Sequence, residues 1–122
     1  MYDKHILNIS GRQSIAFMGE EIASASNRDT SEETKYEWDA VRVFKIDPEW
    51  ADRQERKTGN KIDPYIVGFA KATLWVGEHN RFRVFYARTL PQVLGIVRSH
   101  LPAFHREIEE QLRLNNAPTK AA

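Results

Sequence analysis

The sequence predicts an α+β fold: an antiparallel β-sheet of about five strands with two C-terminal helices packed on one face. Three observations predict it. Apolar and polar residues alternate in several early segments, as they do in half-buried strands. A long hairpin-like stretch, YIVGFAKATLWVGEHNRFRVFYA, follows at residues 65–87. The last third of the chain carries apolar residues at helical spacing.

The length of the chain predicts one domain. It has 122 residues, of which 41% are hydrophobic, a size typical of domains with a single core. We place this domain at residues 1–116 and expect residues 117–122 to be a frayed tail. There is no cysteine, which excludes disulfides and thiolate chemistry and fits a cytoplasmic protein. No segment is apolar for long enough to suggest a membrane span or a leader, so we expect a soluble, unexported protein without a membrane partner.

Charge is distributed unevenly along the chain. Residues 1–64 carry 10 Lys and Arg against 13 Asp and Glu, whereas residues 65–122 carry 8 against 4. The second half is therefore the better place for an anionic ligand. The net charge of +1 is far from that of a strongly basic domain, which argues against duplex DNA as a partner.

The first half predicts strands, one mobile loop and one helical insert. Residues 5–10 and 14–18 flank Gly11 as a hairpin, and EEIASAS continues as a third short strand or a bulged extension of the second. Residues 27–36 are polar and should form a mobile loop. EWDAVRVFKI at residues 37–46 is a strand in which Arg42 interrupts an apolar face.

The insert at residues 47–59 has the signals of a helix. Asp47 is an N-cap, Pro48 fits the first helical position and Gly59 can close the last turn. Only Trp50 and Ala51 are apolar, so the helix should lie outside the domain with Trp50 as its anchor.

Two helices are predicted at the C-terminal end. Thr89 and Gln92 match a capping box before an apolar stripe that ends at Leu101. Pro102 breaks this pattern and starts a second helix, with Phe104 and later apolar residues on one stripe.

No catalytic motif is present. The sequence has no nucleophile elbow and no phosphate-binding glycine loop. The histidines His100 and His105 are five residues apart across a proline, which does not match a helical metal pair. We therefore expect no enzyme activity, no catalytic residue, no cofactor and no metal.

Ligand binding is better supported. A nucleotide needs a flat apolar surface and cationic donors, and aromatic and basic residues are interleaved in the hairpin. Aromatic residues on alternating strands are more often core, and helical arginines are more often solvated surface residues. Arg42 and Lys71 differ because each interrupts an apolar face, where a cation needs either an internal carboxylate or a ligand phosphate. The candidate binding residues are Phe17, Arg42, Lys71, Trp75, Phe82, Arg106 and Arg113.

Four segments together resemble the phage-encoded Thoeris anti-defence proteins of the first type: SIAFMGEEIASAS, the strand KYEWDAVRVFKI, the hairpin and the tail LPQVLGIVRSHLPAFHREIEEQLRL. This resemblance implies tight binding of a cyclic ADP-ribose isomer without cleavage, which would block bacterial anti-phage defence inside the host cytoplasm. Members are homo-oligomers, and some hold cyclic oligonucleotides at a second pocket. Phe82, Arg106 and Arg113 would be counterparts of the stacking and phosphate-binding residues.

Two functions of other classes remain open from the sequence. A small RNA- or single-strand-binding domain would use the same aromatic and basic residues on an open sheet face. A protein-interaction module would anchor a partner through Trp38, Trp50 or Trp75.

Overall fold

The computed structural model describes residues 2–9, 13–26, 37–73 and 81–116. The strands are β1 (Asp3–Ile9), β2 (Ile15–Ser26), β3 (Glu37–Ile46), β4 (Tyr65–Thr73) and β5 (Arg81–Ala87). The helices are α1 (Pro48–Thr58), α2 (Leu90–His100) and α3 (His105–Asn116), with a 3-10 turn at Pro102–Phe104 before α3. This confirms the predicted α+β class. The loop predicted at residues 27–36 and the tail predicted at 117–122 lie outside the described residues.

The five strands close into a barrel in chain order. Consecutive strands are antiparallel, and β1 closes the circle by pairing in parallel with β5 through Asn8↔Arg81 and Ile9↔Phe82. The sheet therefore has an inner and an outer face, and each buries its own hydrophobic cluster. The inner cluster comprises Leu7, Phe17, Phe44, Ile46, Ile66, Ala70 and Phe82.

Helices α2 and α3 cover the outer face of β2–β5. Their buried side chains are Val93 and Val97 from α2 and Ile108 and Leu112 from α3, with Phe104 between the helices. They pack on outer-face residues of the strands: Ala23, Ala25, Val41, Val43, Val67, Phe69 and Ala87. The two C-terminal helices thus pack on one face, as predicted.

A bulge in β2 lets one strand serve both clusters. Phe17 and Ala23 are six residues apart and would share a face of a regular strand, yet Phe17 lies inside the barrel and Ala23 outside. The register shifts between Glu21 and Ala23, which reverses the faces. The prediction of a bulged extension is therefore confirmed. Gly19 precedes the bulge, and a Cβ there would lie 2.7 Å from the carbonyl oxygen of Lys45, so this close strand approach needs glycine.

Helix α1 begins and ends where its caps predict. The carboxylate of Asp47 accepts from the backbone N–H of Glu49 at 3.1 Å, and Gly59 closes the helix with φ 74°. Trp50 and Ala51 pack against the inner cluster, as expected for an external helix with one apolar anchor. At α2, Gln92 accepts from the backbone N–H of Arg88 rather than from that of the N-cap Thr89, so the capping box closes one residue earlier than predicted.

One side chain of α3 takes the place of a strand partner for β2. The Gln111 carboxamide accepts from the backbone N–H of Ser24 at 2.9 Å and donates to its carbonyl at 2.7 Å. Among the described residues, the pairing of β1 with β2 reaches Gly19, and Gln111 satisfies the edge of β2 at Ser24. Among the described residues, no helix is long and apolar enough to cross a membrane.

Candidate functional site

Two clefts share Ala70 of β4 in their linings and are named here the outer and the inner cleft. The outer cleft has a volume of about 320 Å³ and lies beside the end of α2; its lining is Asp39, Phe69, Ala70, Arg83, His100 and Leu101. The inner cleft has a volume of about 510 Å³ and includes Arg42, Ala70 and Phe82. Both volumes fall in the range typical of small-molecule sites.

Strand alternation places Arg83 in the outer cleft. Arg83 pairs directly with Phe69 of β4, so both side chains lie on the outer face. Phe85 follows two residues later on the same face of β5 and packs against the outer cluster. Arg83 itself is exposed. The sequence thus sets a cation beside two aromatic rings.

His100 enters the outer cleft from the last residue of α2. The helix ends there because the backbone N–H of Leu101 makes the last bond, to the Val97 carbonyl, and Pro102 follows. The His100 ring packs against two aromatic rings, with its centroid 4.4 Å from that of Phe85 and 5.1 Å from that of Phe69. Such contacts fix the orientation of the imidazole.

The pair of Arg83 and His100 has a defined hydrogen-bond direction. Arg83 Nη2 lies 3.2 Å from His100 Nδ1. A guanidinium only donates, so His100 Nδ1 is the acceptor in this hydrogen bond. The Arg83 guanidinium carbon also lies 5.9 Å from the centre of the Phe85 ring. An imidazole brings no negative charge and does not compensate the charge of Arg83, which makes no ion pair in the described part of the chain.

The inner cleft has the opposite character. Arg42 points to the barrel interior, in register with Ser24 and Gly68, and its guanidinium carbon lies 4.9 Å from the centre of the Phe44 ring. Its Nε forms an ion pair with the Glu21 carboxylate, and both side chains are about one-third exposed. Glu107 of α3 adds a second carboxylate to this cleft. Together, the charged groups of Glu21, Arg42 and Glu107 give this cleft one net negative charge.

The outer cleft therefore suits an anion better than the inner one. It holds one guanidinium, one carboxylate and one imidazole, whereas the inner cleft holds two carboxylates and one guanidinium. An anion entering the inner cleft would have to displace Glu21 from Arg42.

The seven predicted binding residues do not form one site. Arg42 and Phe82 line the inner cleft, although Phe82 is only 7% exposed. Phe17 is buried at 3% exposure and packs on Phe44 and His5 inside the barrel, so it presents no stacking surface. The backbone of Lys71 in β4 pairs in register with that of Asp39 in β3, and Trp75 lies outside the described residues.

The two predicted arginines of α3 are exposed and paired along their own helix. Arg106 lies 3.8 Å from Glu110 and Arg113 lies 3.5 Å from Glu109, measured between charged atoms. Both are i,i+4 pairs of the kind that stabilise a helix surface weakly. Neither arginine lines the outer or the inner cleft.

The sequence does not mark His100 or Asp39 as cleft residues. His100 is one of two histidines whose spacing does not match a metal pair, and Asp39 lies within the strand predicted at residues 37–46. The spacing R-x-F at residues 83–85 marks a cation and a ring on one strand face, but no local signal shows that the end of α2 returns to it. Among the described residues, no group of three or more His, Asp or Glu side chains is arranged to hold a metal ion.

No protein-family model, no curated protein and no solved structure matches this chain. What the chain does therefore has to follow from the chemistry of its own residues.

Proposed function

We propose that this protein binds a compact anionic nucleotide in the outer cleft and does not cleave it. The observation that carries the proposal is the contact of Arg83 with His100, whose ring packs against Phe69 and Phe85, with no carboxylate on the guanidinium among the described residues. A guanidinium offers several fixed donors to a phosphate, and the exposed ring of His100 offers a flat surface to a base.

The ligand we propose is a cyclic nucleotide immune signal, a cyclic ADP-ribose isomer. Such a molecule combines a pyrophosphate with a purine, which are the two groups that a guanidinium and an aromatic wall recognise. The resemblance to Thoeris anti-defence proteins supports the same ligand class. In a bacterial host cytoplasm, binding would keep the signal from its effector and so block anti-phage defence.

Sequestration makes a quantitative demand on the site. The protein must bind the signal at least as tightly as the effector does, and nanomolar affinity corresponds to about −12 kcal/mol. An open cleft of about 320 Å³ on one chain buries a ligand incompletely. A second copy closing over the cleft would bury more of it, so the proposal includes a homo-oligomer.

The test is a thermal-shift panel followed by recovery of the ligand. Cyclic ADP-ribose at about 100 times its dissociation constant should stabilise the protein by roughly 2.7 kcal/mol, and chromatography should return it unchanged. Product formation would contradict binding without cleavage. Stabilisation by short RNA alone, with steep salt dependence, would favour a single-strand-binding domain. A flat panel would contradict nucleotide binding and favour a protein-interaction module.

A further inference from the structure

We infer that the outer cleft selects ligands carrying both an anion and a hydroxyl or amino donor, because Asp39 forms a second recognition wall opposite Arg83. This inference rests on the proposed function and specifies the ligand chemistry that the site takes. Asp39 and Arg83 line the same cleft on either side of Phe69.

The sheet fixes the separation of these two walls. Asp39 is on β3 and Arg83 on β5, with β4 between them. Neighbouring strands lie about 4.8 Å apart, so the two strands are separated by roughly 10 Å. Asp39 is also displaced along its strand, since Val41, two residues later, is the residue opposite Phe69. A ligand that contacts both side chains therefore has to be larger than a single phosphate.

The two walls make complementary demands on the ligand. A guanidinium only donates hydrogen bonds and an ionised carboxylate only accepts them. Arg83 therefore requires an acceptor, which a pyrophosphate supplies, and Asp39 requires a donor, which a ribose hydroxyl or a base amino group supplies. Asp39 already has an interaction partner within the chain, but a carboxylate offers about four acceptor positions.

Asp39 also acts against ligands that are anions only. Its negative charge repels a bare phosphate or pyrophosphate, which brings no donor to offset that repulsion. The carboxylate thus weakens binding of simple cellular anions and strengthens binding of a nucleotide. Its removal should move the two affinities in opposite directions.

The experiment compares cyclic ADP-ribose with inorganic pyrophosphate by calorimetric titration of the full chain. In Asp39→Asn, we expect cyclic ADP-ribose to bind roughly tenfold more weakly, the loss typical of a hydrogen bond to a charged group, and pyrophosphate to bind more tightly. The matched control is Glu107→Gln, which changes the charge equally but lies in the inner cleft and should alter neither affinity.

A second variant separates charge from position. Asp39→Glu keeps the charge but moves the carboxylate by one methylene group, so cyclic ADP-ribose should weaken while pyrophosphate stays as in the wild type. An unchanged ratio of the two affinities in both variants would overturn the inference. Failure of the wild type to bind either probe would instead contradict the proposed function itself.

Discussion

The two clefts that share Ala70 each hold an arginine beside a phenylalanine, and the two arginines differ in their partners. Arg42 in the inner cleft is paired with the Glu21 carboxylate, whereas Arg83 in the outer cleft donates to the ring of His100. An ion pair satisfies a guanidinium, but an imidazole acceptor orients it and leaves its charge for a ligand. The partner of an arginine, more than its place on an apolar face, therefore distinguishes a structural cation from a binding one.

The largest expected effect is a loss of stability at Phe44, whose ring lies beneath Arg42 of the inner cleft. Phe44 is fully buried and contacts Phe17 and His5, so Phe44→Ala should lower the free energy of unfolding by about 3–5 kcal/mol. Denaturant titration measures this loss. In the same test, Phe85→Ala should cost less stability, because Phe85 is only half-buried. This variant should instead weaken ligand binding, because it removes a ring that packs against His100. Equal losses of stability in the two variants would show that Phe44 and Phe85 have the same structural role.

The next largest effect is on binding through the outer cleft. Arg83→Gln should weaken cyclic ADP-ribose binding by roughly ten- to a hundredfold, because a charge-assisted hydrogen bond is lost. The melting temperature should hardly change, since Arg83 is exposed. Arg98→Gln, an equal charge change in the last turn of α2, is the control and should retain affinity. Unchanged affinity in the Arg83 variant would remove the outer cleft as the site.

A smaller loss of stability is expected where Gln111 of α3 bonds to Ser24 of β2 beside the inner cleft. Gln111→Ala removes both hydrogen bonds to Ser24 and should lower the free energy of unfolding by about 1–2 kcal/mol without altering ligand affinity. Gln13→Ala, at an exposed position before β2, serves as the control and should stay within about 0.5 kcal/mol. A loss of affinity in the Gln111 variant would show that the inner cleft takes part in binding.

The smallest effect is expected at Arg42. Its ion pair with Glu21 is partly exposed, so Arg42→Gln should cost at most about 1 kcal/mol, and less at high salt. Ligand affinity should remain that of the wild type. The sequence alone predicts the opposite, that Arg42 binds a ligand phosphate, so a calorimetric titration of this variant decides between the two clefts.

Local signals predicted much of the fold. Asp47, Pro48 and Gly59 set the bounds of α1 through cap geometry that involves only neighbouring residues. The alternation of buried faces in β3 and the apolar stripes of the C-terminal helices likewise follow from the chain's own periodicity. Closure of the barrel was not predicted, because the parallel contact of Asn8 with Arg81 joins residues far apart in sequence and leaves no local pattern.

The candidate site was less predictable for the same reason. The sequence shows that Arg42 interrupts an apolar face, but not that Glu21, across the bulge of β2, would meet it. It shows Arg83 and Phe85 on one strand, but not that His100 would return to them from α2. Which charge faces which partner depends on tertiary packing, and that decides the role of each cation.

The most direct test of the outer cleft as the ligand site is a two-dimensional NMR titration of the full chain with cyclic ADP-ribose. We predict saturable changes in the signals of Phe69, Arg83, His100 and Leu101, which surround the outer cleft. Changes centred instead on Ser24 and Arg42 would contradict the assignment of the ligand to the outer cleft. The absence of any change at millimolar ligand would also contradict it, because binding would then be weaker than about −4 kcal/mol.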